Sequence, residues 1–249
     1  GEKKNHNIRA SFQTGFRNPS TQDQYIGFNI GSAVLVGSAP DNLTRFNETF
    51  NLSAEGQVYN GGPTKVMSGN DAYYNSYLAS SVSAFSAMAG SNPIAAAALL
   101  TKTRANLVKP EEVKAFELGY RSVFEGMSID INGYYNIYNN FIGNLNVISP
   151  YYGTAQDNPN LVAGVTDSGV QSVRALQNGE YRVYQLYTNS DVEIHSLGFG
   201  VGLSKKVIAD FELGVNYNYA QFDFDQDKDP SVEAGFNTPK HRVKASIGN

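Results

Sequence analysis

The sequence predicts an all-β fold, an antiparallel transmembrane β-barrel segment of about six long strands with long loops, one of which contains short helices. First, apolar and polar residues alternate over about ten residues per strand, the length that a tilted strand needs to cross a bilayer. Second, short turns and long loops alternate along the chain, as in bacterial barrels. Third, no apolar run approaches about 18 residues, so a transmembrane helix is excluded.

Composition supports a two-faced sheet and removes several classes of function. The 249 residues are 41% hydrophobic and 17% charged, and a mean hydropathy of −0.34 fits strands with one apolar and one polar face. The net charge of −4 and the lack of a basic cluster exclude a nucleic-acid partner. The absence of cysteine removes disulfides, cysteine-based zinc sites and cysteine nucleophiles.

The first predicted strand, residues 7–16, ends at Pro19, which lacks a ladder donor. The loop 17–110 follows, with two short strands between Tyr25 and Val36. It also contains expected helices near 71–89 and 93–106, the second of which begins with Asn92 as cap and Pro93 in the first position.

Two strands, 111–124 and 127–142, form a hairpin around Glu125-Gly126, because glycine accepts the positive φ of a tight turn. The loop 143–180 precedes a strand predicted at 181–204. In that strand the apolar set changes face near His195-Ser196, which predicts a bulge or a change of environment. The remaining elements are predicted as a strand at 207–224, an acidic loop at 225–239 and a strand at 240–249.

Three segments resemble TonB-dependent outer-membrane receptors: IRASFQTGFRNPSTQDQY (Ile8–Tyr25), LVKPEEVKAFELGYRS (Leu107–Ser122) and FNTPKHRVKASIGN (Phe236–Asn249). The resemblance implies a bacterial outer-membrane barrel of about 22 strands, six of them in this chain. It also implies import of a scarce nutrient, such as an oligosaccharide or a siderophore. Since both ends of the chain look cut and no plug domain is found, we expect an internal piece of a longer protein.

The same resemblance implies the partners and the orientation. The expected partners are outer-membrane lipid, a plug domain and the remaining barrel strands, TonB acting through an N-terminal region, and a surface lipoprotein. The short turns Phe124–Ser128 and Ser204–Asp210 would face the periplasm, and the long loops would face outside, where such receptors capture ligand. Three alternatives stay open: a passive porin, an outer-membrane adhesion or interaction barrel, and a soluble β-rich binding module.

The candidate ligand-binding residues are tyrosines of the long loops, whose rings could stack on a ligand: Tyr73, Tyr74, Tyr77, Tyr151 and Tyr152. The competing interpretation of the first three is that they pack a helix onto the loop. The three histidines, His6, His195 and His241, lie far apart, and the sequence favours solvated or lumen-facing imidazoles over metal ligands.

The candidate metal ligands are alternate carboxylates of the last loop: Asp223, Asp225, Asp227 and Asp229. Oxygen ligands suit calcium, but Lys228 and Ala234 stand where an EF-hand loop needs glycine and glutamate. A looser calcium site and a solvated acidic loop both stay open. No hydrolase, metalloprotease, phosphate-loop or Cys-x-x-Cys motif occurs, so we expect neither a cofactor nor enzymatic activity.

Overall fold

The computed structural model describes residues 5–208, 211–225 and 239–248. The strands are β1 (Asn5–Arg17), β2 (Gly27–Asn29), β3 (Val34–Val36), β4 (Asn47–Asn51), β5 (Thr64–Ser68), β6 (Tyr77–Leu78), β7 (Glu111–Phe124), β8 (Met127–Asn139), β9 (Ile142–Pro150), β10 (Tyr181–Asn189), β11 (Ile194–Ile208), β12 (Phe211–Asp223) and β13 (His241–Gly248). The α-helices are α1 (Thr21–Tyr25), α2 (Asn42–Arg45), α3 (Ala54–Asn60), α4 (Gly69–Tyr74), α5 (Ala79–Ala89), α6 (Pro93–Ala97) and α7 (Ser168–Gln177).

Six strands form one antiparallel sheet in the order β1-β7-β8-β11-β12-β13, here called the long sheet. Its five longest strands have 13 to 15 residues, more than twice the five or six residues usual in soluble sheets. Glu125 and Gly126 close the β7–β8 hairpin with positive φ angles of 50° and 73°, as the turn chemistry predicts. The predicted all-β antiparallel fold is confirmed.

The residues between the long strands fold into a second body at one end of the long sheet. This body, here called the cap, comprises residues 18–110 and 140–193. It holds a five-stranded sheet, β2-β3-β10-β9-β6, and a separate β4–β5 pair. Buried apolar residues form two clusters in the cap, one around Tyr73 and Tyr184 and one around Tyr77 and Phe85. The chain was expected to form loops here, and it forms a packed domain.

Two predicted strand limits differ from the structure for the same reason. The strand predicted at 127–142 ends at Asn139, where Asn140 takes a positive φ of 54° and turns the chain into β9 of the cap. The strand predicted at 181–204 is two strands, β10 in the cap and β11 in the long sheet, separated by residues 190–193. The change of face expected near His195-Ser196 therefore reflects a change of sheet.

The helices of the cap are also shorter than predicted. The helix expected near 71–89 is instead α4, the two-residue strand β6 and α5, which together run from Gly69 to Ala89. The helix expected at 93–106 ends at Ala97. Asn92 caps that helix as predicted, since its side chain accepts a hydrogen bond from the Ala95 amide. The following residues leave the helix because their backbone pairs with β6 and with the residue before it: Leu78 N donates to Thr101 O, and Thr103 N donates to Ser76 O.

Candidate functional site: a two-faced sheet and its cap

One face of the long sheet is apolar across all six strands. Residues that pair directly share a face, and one complete row across the sheet is Ile8, Tyr120, Ile131, Val201, Tyr217 and Val243. The rows on either side continue it with Leu118, Phe199, Ile129 and Val215. These side chains stay exposed or half-exposed, with Ile8 at 75% and Val243 at 67%. A continuous exposed apolar surface of this size is suited to contact with lipid tails.

The opposite face is polar in its middle rows and near the short turns. Two of its rows are Arg9, Gly119, Asn132, Gly200, Asn218 and Arg242, and Asn7, Arg121, Asp130, Gly202, Asn216 and Lys244. Near the short turns this face forms a groove of about 700 Å³ whose lining carries both signs of charge, with Arg121 and Lys206 near Asp130 and Glu212. The polar face therefore suits water or a polar protein surface.

Three glycines at alternate positions of β11 shape the polar face. A Cβ atom at Gly198 would lie 2.6 Å from the Tyr134 hydroxyl and 2.6 Å from the Tyr219 carbonyl oxygen. At Gly200 and Gly202 it would lie 2.9 and 2.8 Å from asparagine side-chain oxygens of β12. Side chains of the neighbouring strands thus lie over the three glycines and occupy the space that β11 side chains would fill on the polar face.

The three histidines lie on the apolar face. Each ring contacts a tyrosine hydroxyl through Nδ1: His6 with Tyr120 at 2.8 Å, Tyr135 with His195 at 2.6 Å, and Tyr217 with His241 at 2.8 Å. Solvated or lumen-facing imidazoles were expected, and the strand parity places the three rings on the face opposite the lumen side. Rings with one polar edge are typical of membrane interfaces.

One polar contact attaches the cap to the long sheet, and a second contact beside it joins the two parts of the cap. The Glu111 carboxylate, 8% exposed, accepts hydrogen bonds from the Arg17 guanidinium and from the Ile142 backbone amide. The Asn189 side chain accepts from Lys109 N at 2.6 Å and donates to the Lys109 and Asn140 carbonyl oxygens. Together they fix the places where the chain enters and leaves the cap.

Four of the five candidate ligand-binding tyrosines are buried in the cap. Tyr73 and Tyr77 are 1% and 0% exposed. Tyr73 donates a hydrogen bond to the Tyr187 carbonyl oxygen, and Tyr77 exchanges one with Ser172. Burial raises the pKa of both phenols, because it penalises the charged form. Neither ring offers a face to a ligand, so the packing interpretation accounts for them.

Tyr151 and Tyr152 are likewise packed inside the cap, at 9% and 4% exposure. The Tyr151 ring stacks on Phe50 with centroids 4.7 Å apart. The Tyr152 hydroxyl donates to Glu180, whose carboxylate also accepts hydrogen bonds from Ser53 N at 2.6 Å and Ser53 Oγ at 2.7 Å. These contacts hold the start of helix α3 against the sheet.

Tyr74 is the exposed member of the five, at 54%. Its ring lies 6.4 Å from the ring of Tyr73, measured between centroids, on the side of α4 that points away from the core. The structure therefore separates the tyrosines into one surface ring and four core rings, and they form no shared platform.

The acidic loop is described only at its two ends, at Asp225 and Pro239. Asp223 ends β12, where it pairs with His195 across the sheet, and Asp225 follows it. Asp227 and Asp229 lie outside the described residues. Within residues 5–208, 211–225 and 239–248, no group of three histidine, aspartate or glutamate side chains could hold a metal ion. Calcium binding by the four carboxylates stays a prediction.

Comparison with protein families identifies the chain. The family model described as "TonB dependent receptor-like, beta-barrel" matches residues 3–248. The chain belongs to this family. Comparison with curated proteins and with solved structures finds no match.

Membership explains the two faces. TonB-dependent receptor barrels lie in the outer membrane and act in transport together with TonB, so the apolar face meets lipid and the polar face meets the lumen. Among the described helices, none has the length and apolar character to cross a bilayer.

Sequence reasoning missed the residues that build the cap. Glu111 stood inside a segment already quoted for the family resemblance, where its acidic neighbour Glu112 obscured its burial. The alternation from Tyr181 to Asn189 predicted a strand. That alternation could not show that the strand belongs to a separate sheet, because its partners lie about 40 and 150 residues away.

Proposed function

We propose that this chain forms part of the barrel wall and the external capture surface of a receptor that imports a scarce nutrient with energy supplied through TonB. The long sheet is its wall. The cap stands on the side opposite the Glu125-Gly126 turn, and therefore outside the cell when that turn faces the periplasm. The single observation that carries the proposal is that one sheet has an apolar face suited to lipid and a polar face suited to a lumen, and carries a folded cap at one end.

The unpaired edges of the long sheet indicate where further protein contacts belong. Strands β1 and β13 are the edges of the described sheet, and an open edge cannot face lipid because its backbone groups would stay unsatisfied. We propose that the remaining barrel strands pair there and that a plug fills the polar side. A surface lipoprotein would reach the cap from outside.

Uptake by intact cells tests the proposal. Cells that carry the full-length receptor would be offered neutral oligosaccharides and ferric siderophores, with and without functional TonB. The expected result is uptake of one ligand class that needs both the receptor and TonB. Receptor-dependent uptake that persists without TonB would instead identify a passive porin. Uptake that is the same without the receptor would contradict transport altogether.

A further inference from the structure

The five-stranded sheet of the cap carries a row of four side chains on one face: Phe28, Leu35, Gln185 and Asn146. The register puts them side by side, because Phe28 pairs with Leu35, Leu35 with Gln185, and Gln185 with Asn146. At a strand spacing of about 4.8 Å the row spans roughly 14 Å. It is therefore a short, straight strip across four strands, here called the amide row.

The amide row lies on the uncovered part of its face. The opposite face of the sheet holds the buried core residues Val34, Val147 and Tyr184. On the side of the amide row, helices α5 and α7 pack against β9 and cover Ile148. Phe28 remains 59% exposed, Asn146 is exposed, and Leu35 and Gln185 are half-buried. A ligand can reach all four side chains.

The two amides of the row leave hydrogen-bonding capacity unused. Gln185 Nε2 donates to Asn146 Oδ1 at 3.3 Å. Within the described residues, no hydrogen bond engages Gln185 Oε1 or the Asn146 amide nitrogen. An acceptor and a donor thus stand next to each other. Their natural complement is a hydroxyl group, because it can donate to the first and accept from the second.

The strands that carry the row add no formal charge to its face. The described residues of β2, β3, β9 and β10 that share this face include no aspartate, glutamate, lysine, arginine or histidine. The ion pair between Arg182 and Glu48, at 2.9 Å, belongs to the opposite face. Because no cation stands on these strands beside the row, no side chain of theirs could balance an anionic chelator, and the chemistry of the row suits an uncharged ligand.

We propose that the amide row binds a neutral oligosaccharide, and that this is the substrate class of the receptor. The Phe28 ring would stack on the apolar face of a sugar ring, and the Gln185 and Asn146 amides would bind hydroxyls of an adjacent sugar. Asn144, exposed on the same face two residues from Asn146, extends the strip of amides. The inference rests on the proposed function, because it names the cargo of the same receptor.

Calorimetry on the full-length receptor in detergent tests the row directly. The probes are malto-, cello-, xylo- and fructo-oligosaccharides, with a ferric siderophore as the charged comparison. At least one oligosaccharide is expected to bind, and F28A and the double variant Q185A/N146A are each expected to weaken its binding about tenfold or more. The control V58A shortens an apolar side chain of helix α3 that is 78% exposed elsewhere on the cap, and it should bind like wild type. Unchanged resistance of the cap to protease shows that each variant is folded.

Two results would overturn the inference: no oligosaccharide binds, or the row variants bind as well as wild type. Uptake then separates the two proposals. If oligosaccharide uptake depends on TonB but is unchanged in the row variants, the amide row is not the binding site and the proposed function still holds. Row-dependent binding without any dependence of uptake on TonB rejects the proposed function and leaves the amide row standing.

Discussion

Arg17 and Glu111 form a two-pronged ion pair where the long sheet meets the cap. Arg17 Nε lies 2.6 Å from Glu111 Oε2, and Arg17 Nη2 lies 2.8 Å from Glu111 Oε1. The same Oε1 accepts a hydrogen bond from the Ile142 amide at 2.8 Å. One carboxylate thus joins β1, β7 and the first residue of β9.

Replacing that carboxylate should loosen the junction. E111Q removes the charge from two charge-assisted hydrogen bonds, and because Arg17 is half-exposed we expect a loss of about 1–2 kcal/mol. Hydrogen exchange of the Ile142 amide should become several-fold faster. The matched control is E112Q, which changes an exposed neighbour on the other face. If the Ile142 amide exchanged at the same rate in E111Q and in wild type, the Glu111 carboxylate would not stabilise this junction.

A charge on the apolar face should impair insertion into the membrane. Val201 lies in the middle of the apolar row, and V201K would place an ammonium group in hydrocarbon at a cost of about 2–4 kcal/mol. The control N132K puts the same side chain on the polar face of the neighbouring strand. We expect less folded receptor in the outer-membrane fraction for V201K and normal amounts for N132K. Equal insertion of the two variants would contradict the assignment of faces.

The crowded glycine of β11 should not tolerate a methyl group. In G198A the new Cβ would displace the Tyr134 ring and press on the Tyr219 carbonyl oxygen, and overpacking of this kind costs about 1–3 kcal/mol. Gly133 is a matched control on the apolar face, because its nearest atom would be 3.7 Å away. Gel mobility with and without heating reports the folded fraction, which should fall for G198A and stay constant for G133A.

The cap should lose stability at alkaline pH. Burial raises the pKa of Tyr73 and Tyr184 above the usual value near 10. The unfolded phenols ionise near pH 10 while the folded ones stay neutral, so stability is full below about pH 10 and falls as pH rises from there. Denaturant unfolding of the cap at pH 8 and at higher pH measures this fall. Y184F should make it shallower, and an equal fall in that variant would contradict the assignment.

The sequence predicts the long sheet well because its signal is local. The alternation within each long strand predicts that strand, and the glycine of Glu125-Gly126 predicts the turn. The cap is different, since its sheet assembles from two excursions of the chain away from the long sheet. The first excursion is residues 18–110 and the second is residues 140–193. Neither Tyr184 nor Val34 carries information about the other, although they pair directly.

The candidate tyrosines show that the sequence is equally limited in predicting the residues of a site. Tyr73 and Tyr74 are neighbours in sequence and identical in chemistry, but one is 1% and the other 54% exposed. The helix that carries them decides which ring faces the core, and that depends on where β10 packs. The sequence did not point to Phe28 as a site residue, because Leu35 and Gln185 become its neighbours only through the register of the sheet.

The parallel pairing of β3 with β10 also imposes an order in time. Strand β10 inserts between β3 of the first excursion and β9 of the second, so the cap sheet cannot close until both excursions have emerged and the hairpin β7–β8 has brought their ends together. Contacts between residues this distant in sequence form slowly. A chaperone that binds the unfinished receptor would therefore meet a β2–β3 pair whose β3 edge stays open until β10 pairs with it.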